Sequence, residues 1–186
     1  MGIAKLGFLR TFLKSETATS CNETLFRRYR QTGDSAALSA LYDQHCNNLY
    51  YYLLVMSDPN TAADVTQKVW LKVMESTQDY QIQGRFQAWL FTIGHRMLID
   101  EFRQSKRWQA DTDPDTLGSV TPVNDNEADF HQLLKHLPFT QREAFSLQQE
   151  GFSLQDIASI CDVPVETVKT RLRYARNNLK KHWKTL

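Results

Sequence analysis

Glu166, Thr167, Lys169, Thr170, Arg171 and Arg173 project from one side of a helix that Val168, Leu172 and Leu179 anchor on the other. These side chains suit base edges and the phosphates between them. Arginine grips guanine through two hydrogen bonds, while lysine and threonine hold the backbone. Arg176 and Lys180 continue the cationic side and are placed as phosphate clamps. The stretch that carries them, SLQDIASICDVPVETVKTRLRYARNNL, has the proportions of a helix-turn-helix. Leu154, Ile157, Ala158 and Cys161 supply the buried face of its first helix, Ala158 being small where two helices approach closely. Asp162-Val163-Pro164 makes the turn, and aspartate tolerates the left-handed conformation such turns require. DNA binding is the chemistry this pattern implies, and a repressor, an activator and a polymerase subunit would all show it.

Catalytic chemistry finds no comparable set. Asp43, His45 and Cys46 lie close together on a helix, but no base, oxyanion or metal constellation accompanies them, so they read as core or surface positions and the chain as no enzyme. The three cysteines, Cys21, Cys46 and Cys161, are widely spaced without any CxxC, which argues against a disulfide framework or a zinc knuckle. No metal and no cofactor is expected, and a reducing cytoplasm is the simplest home.

The total charge of +1 argues against a nucleic-acid partner only until it is resolved along the chain. Asp111, Asp113, Asp115, Asp125, Glu127 and Asp129 form a block of −6 without a lysine or arginine, leaving +7 on the rest. From Glu166 onward, seven bases face one acid. The chain is a basic protein with an acidic insert.

These residues must be positioned by helices. With 41% hydrophobic residues the chain is too apolar to be disordered, and its long stretches between few glycines and prolines read at the helical period. An all-α protein of two small domains is expected. Leu38, Leu41, Tyr42, Leu49, Leu53 and Leu54 mark a helix from Asp34 or Ser35 to near Asp58-Pro59. Val65, Val69 and Val73 mark a second from Asn60 or Thr61. Phe86, Trp89, Leu90, Ile93, Met97 and Phe102 mark a third over about residues 85–107. Residues 109–127, with Pro114, Pro122, Gly118 and most of the acidic block, read as a flexible acidic linker. Four short helices follow, around Phe130 to Leu137, Gln141 to Gln149, Leu154 to Cys161 and Val165 to Lys181. The expected division is an extension over 1–24, a first domain over 25–108, the linker, and a second domain over 128–186. Ile3, Leu6, Leu9, Phe12 and Leu13 give the first 14 residues an amphipathic face, read as a frayed or partner-docking helix rather than a secretion signal. No apolar run approaches the length of a membrane span.

LPFTQREAFSLQQEGFSLQDIA followed by VPVETVKTRL resembles region 4 of the extracytoplasmic-function (ECF) group of bacterial RNA polymerase sigma factors. ALYDQHCNNLYYYLL, DVTQKVWLKV and FQAWLFTIGHRMLIDEFRQSKR resemble region 2 of the same group. Together the motifs cover about residues 38–179 in the family's order.

The resemblance implies a sigma factor that joins core RNA polymerase and directs promoter recognition and strand opening; the alternative is an autonomous helix-turn-helix regulator. It implies that Asp64, Gln67, Lys68 and Leu71 meet the clamp of the polymerase β′ subunit, Lys68 standing where a glutamate is usual. It implies that Tyr80, Gln81, Gln83 and Arg85 in or beside a loop, with His95, Arg96, Arg103, Lys106 and Arg107 on the next helix, capture the minus-ten element. Polar and aromatic groups suit an extruded base, and a cationic track suits a separated strand. His95-Arg96 replaces the family's common Arg-Asn. Region 4 is implied to read the minus-thirty-five element and to lie against the β flap. An anti-sigma factor is a further partner the group admits, and no small-molecule substrate is implied.

Overall fold

A computed structural model describes residues 15–75, 85–108 and 133–183, with side chains described over 21–75, 85–104 and 133–181. All regular structure among the described residues is helical: α1 (Ser15–Thr32), α2 (Ser35–Met56), α3 (Pro59–Glu75), α4 (Phe86–Trp108), α5 (Phe139–Gln149), α6 (Leu154–Cys161) and α7 (Val165–Trp183). A short turn of helix at Leu133 to Lys135 precedes α5.

Local chemistry sets the boundaries. Gly33, at φ +68°, ends α1 with its N–H donating to Tyr29 O at 2.8 Å, a left-handed position that glycine adopts without a Cβ penalty. Asp34 then caps α2, its carboxylate accepting from Ala36 N. At the α2–α3 corner, Asp58 accepts from the N–H groups of Asn60 and Thr61 and from the Thr61 hydroxyl. Pro59 supplies the pre-set φ of a first helical position.

α1 to α4 form one bundle. Leu41, Leu49, Leu53, Val65, Val69, Val73, Phe86, Leu90 and Leu98 are buried at its centre. Gly94 lets α4 come close: a Cβ there would meet Leu49 Cδ1 at 2.9 Å. α1 is an added member that the apolar periodicity of the other helices does not announce. It begins at Ser15, ahead of the boundary expected at residue 25, and drives Phe26 between Phe86 and Trp89. Its buried Glu23 also accepts from Phe86 N at 2.6 Å, serving a free N–H at the start of α4. The expected core residue Tyr42 is instead 46% exposed, lying against Trp70 at the rim.

α5, α6 and α7 make the second unit, centred on Ala144, Leu147, Ile157, Ile160, Val168, Leu172 and Ala175. It packs on the first. α5 lies against α2 and α6 against α4, with Phe91 edge-on to Phe152 and Phe102 edge-on to Phe139. This cover explains why Tyr52, Leu53, Leu54, Val55 and Met56, spanning more than a full turn of α2, are all buried.

Candidate nucleic-acid interface

The α6–α7 pair is built by two caps. Ser153 and Asp156 form a reciprocal capping box at the start of α6, each side chain accepting from the other's backbone N–H. Asp162 ends α6 in the left-handed region at φ 52°, its N–H donating to Ala158 O. Ala158 O also accepts from Val163 N at 3.0 Å, closing the corner tightly. Val168, Leu172 and Ala175 then seat α7.

That seating turns the expected readers outward. Glu166, Lys169, Thr170, Arg173, Arg176 and Lys180 are exposed, and Thr167 is half-buried. Glu166 pairs with Lys169 at 2.6 Å, an acid in the first turn that also complements the helix dipole. The Arg173 guanidinium lies over the Tyr174 ring, 5.2 Å from its centre. Arg176 donates to the Gln148 side chain at 2.7 Å.

Arg171 differs from its neighbours. Half-buried, it turns toward Glu143 of α5, Nη1 to Oε2 being 3.8 Å. Glu143 is almost wholly buried at the junction of the two units. From the other side, His95 Nδ1 of α4 lies 2.7 Å from Glu143 Oε1, and the Tyr52 hydroxyl donates to the same oxygen at 3.4 Å. Burial first, and the Glu143 charge second, raise the Tyr52 phenol and the Cys161 thiol well above their ordinary values. Arg85 also crosses the junction, pairing with Asp156 of α6. Asn48 of α2 donates to Glu150 Oε2 at 2.9 Å.

On α4, Arg96 and Arg103 are exposed, Arg103 standing 3.5 Å from Asp100. Lys106 and Arg107 lie on the last turns of α4, but their side chains are outside the described residues, as are Tyr80, Gln81, Gln83, the linker over 109–127 and the first 14 residues. On α3, Asp64, Gln67, Lys68 and Leu71 form one exposed face at successive helical turns. Lys68 bridges Asp64 at 3.3 Å and Glu101 of α4 at 3.1 Å. Beside this face, Leu38, Ser39, Tyr42, Asp43, Trp70 and Met74 line a shallow groove of 220 Å³.

Sequence reasoning missed Glu143. It lies between Arg142 and Ala144 in a short helix, and neither hydropathy nor spacing marks a buried carboxylate there. His45, weighed with Cys46 and Asp43, is buried against Phe86, and Asp43 is exposed. Among the described residues, no cluster of three potential ligands could hold a metal ion. No described helix is long and apolar enough to cross a membrane.

Residues 41–108 match the Sigma-70 region 2 model, and residues 127–179 match the model of Sigma-70, region 4. The chain is 29% identical over 164 residues to the ECF RNA polymerase sigma factor SigE of Mycolicibacterium smegmatis, covering 80% of this chain and 63% of that protein. It is 29% identical over 135 residues to the ECF RNA polymerase sigma factor EcfG of Rhodopseudomonas palustris, covering 69% and 75%. The sigma factor RpoE of Bartonella quintana, solved with the anti-sigma factor NepR, superposes with a TM-score of 0.71 at 27% identity, over 78% of this chain and 96% of that one. CnrH, solved with the cytosolic domain of CnrY, shares the fold with a TM-score of 0.68 at 22% identity, over 89% and 98%. With the two family models in order along one chain, and with an outward-facing helix-turn-helix behind a four-helix bundle, the protein belongs to the ECF group of sigma-70 factors.

Proposed function

We propose that this ECF sigma factor joins core RNA polymerase and directs it to a specific set of promoters, region 4 reading duplex DNA and region 2 holding the opened strand. The exposed cationic side of α7 supports this reading most directly. Glu166, Thr167, Lys169, Thr170 and Arg173 face base edges and flanking phosphates, with Arg171 joining them, while Arg176 and Lys180 clamp phosphates. Arg85, His95, Arg96, Arg103, Lys106 and Arg107, with Tyr80, serve the minus-ten element. Asp64, Gln67, Lys68 and Leu71 meet the β′ clamp, supported by their shared exposure on α3.

The functional division is an extension over 1–24, region 2 over 25–108, an acidic linker over 109–127 and region 4 over 128–186, except that α1 (Ser15–Thr32) straddles the first boundary and assigns its residues before 25 to the region 2 bundle. The protein performs no covalent catalysis and acts in the cytoplasm. An anti-sigma factor is a partner of the solved relative RpoE, and a protein of that kind is proposed as the regulator here. Run-off transcription with purified core polymerase on randomised promoters tests the function. Transcripts from a defined promoter subset are expected. Duplex binding without any binding to core polymerase would instead identify an autonomous regulator.

A further inference from the structure

The start of α4 has no capping side chain of its own. Arg85, the residue before it, opens the helical ladder with its carbonyl, which accepts from Trp89 N at 3.0 Å. Its guanidinium has no acceptor to offer the first N–H groups of the helix, and no acid stands in the first turn. The acceptor comes instead from α1, 63 residues away: Oε1 of the almost wholly buried Glu23 takes the Phe86 N–H at 2.6 Å. A carboxylate at that end also complements the helix dipole. Aromatic packing holds the same place, with Phe26 of α1 against Phe86 and Trp89, and His45 of α2 against the Phe86 ring.

This is the end of α4 that the proposed strand-binding set depends on. Arg85 is exposed immediately before it, and Tyr80, Gln81 and Gln83 lie just upstream in sequence. Glu23 and the rest of α1 precede residue 41, where the match to the region 2 model begins. We propose that Glu23 is a positioning residue for the opened strand: by capping α4 from α1 it fixes the backbone at Arg85 and Phe86, and with it the place of Arg85 in the minus-ten set. The inference rests on the function proposed above. Without the remote cap the first turn of α4 frays, and apparent affinity for the strand falls with the fraction of molecules in which that turn is formed. Duplex reading by α7 does not pass through this end of α4.

Full-length variants assembled with core polymerase test the assignment. The probe is a labelled single-stranded oligonucleotide carrying the minus-ten sequence of a promoter recovered in the run-off selection, with binding read by fluorescence anisotropy. Glu23→Gln keeps an acceptor oxygen at the same reach, and Glu23→Asp keeps the acid but withdraws it by one methylene. Leu53→Ala, buried on α2 two turns beyond His45 and outside every proposed contact, is the control for lost stability. Glu23→Asp is expected to bind the strand about fivefold more weakly than the parent, and Glu23→Gln and Leu53→Ala to stay within about twofold of it. Core affinity and binding of a minus-thirty-five duplex are expected to hold in all three, each measured below its melting temperature by circular dichroism. Undiminished strand binding by Glu23→Asp overturns the positioning role. So does a loss in Glu23→Gln as large as in Glu23→Asp, or a loss that follows melting temperature across the three variants. A parent holoenzyme that does not bind the strand overturns the functional reading, and the positioning role with it.

Discussion

Nζ of Lys68 on α3 lies 3.1 Å from Oε2 of Glu101 on α4. The same ammonium reaches Asp64 one turn earlier on its own helix. Glu101 first, then Asp64, raise the lysine above its ordinary value. The unusual cation on the proposed clamp-binding face is therefore neutralised inside the chain. Lys68→Glu is expected to free Asp64 and restore the acidic pattern usual in the family. Surface plasmon resonance with core polymerase should show several-fold tighter binding, and Asp64→Lys weaker binding. The pairs are exposed, so the melting temperature should move by no more than about 1 kcal/mol of stability allows.

His45 supplies a pH dependence. Burial holds its imidazole down at about 4 against an ordinary 6.5. The folded protein keeps it neutral while the unfolded chain protonates it, so its contribution is intact above pH 6.5 and is lost as pH falls toward 4. The loss reaches roughly 3 kcal/mol by pH 4. Denaturant titrations at stepped pH should show this slope in the parent and a flatter one in His45→Leu.

Glu150 titrates with the opposite sense. Burial pushes its carboxyl up to about 7 from 4.5, only partly offset by the Asn48 hydrogen bond, and no charged side chain contributes to the shift. Unfolding exposes it, so the folded protein holds a proton that the unfolded chain releases. Its contribution to folding stability is fully present below pH 4.5, is lost through the window to about 7 and stays at its lower level above it. Denaturant titrations across pH 5 to 8 should follow that course, and Glu150→Gln should remove this component.

Asp162 carries the left-handed end of α6. Asp162→Gly should be neutral or stabilise by up to about 1 kcal/mol, because glycine takes φ 52° freely, whereas Asp162→Val should destabilise by about 1 to 2 kcal/mol. Thermal unfolding distinguishes them.

On α7, removing a phosphate clamp and removing a reader should have different signatures. Arg176→Ala or Lys180→Ala should weaken binding to all duplexes alike and reduce the slope of log K against log salt by about one. Arg173→Ala should relax preference at a single base position, visible in selection from a randomised duplex library. A uniform loss from Arg173→Ala would place it on the backbone.

The helices α2 to α4 and α6 to α7 were legible because their buried faces repeat at the helical period, and the turns between them carry Asp58-Pro59 and Asp162-Val163-Pro164. α1 escaped because its inward side includes Asn22 and Glu23 while Arg27, Arg28 and Arg30 crowd Phe26. A buried face that is partly polar gives a weak hydropathy signal. The same limit applies at the junction. The residue types at 85, 171 and 176 announce cations and that at 95 a polar ring, but their partners Asp156, Glu143 and Gln148 are distant in sequence, and no period connects them. The face of Asp64, Gln67, Lys68 and Leu71 was singled out by the resemblance of its motif and set opposite the valine stripe by helical offset, whereas Glu101 could not be foreseen as the partner of Lys68.

One carboxylate with obligations to both halves of the chain also limits how freely the halves can be exchanged. Glu143 belongs to region 4 by sequence, yet its Oε1 is matched to Tyr52 and His95 of region 2. A chimera that imports a relative's region 4 inherits a different side chain at this point, and its host keeps a histidine shaped for an acid. Positions 52, 95, 143 and 171 are therefore expected to change as a set, so the heritable unit of promoter choice in this protein extends beyond the helix that reads the DNA.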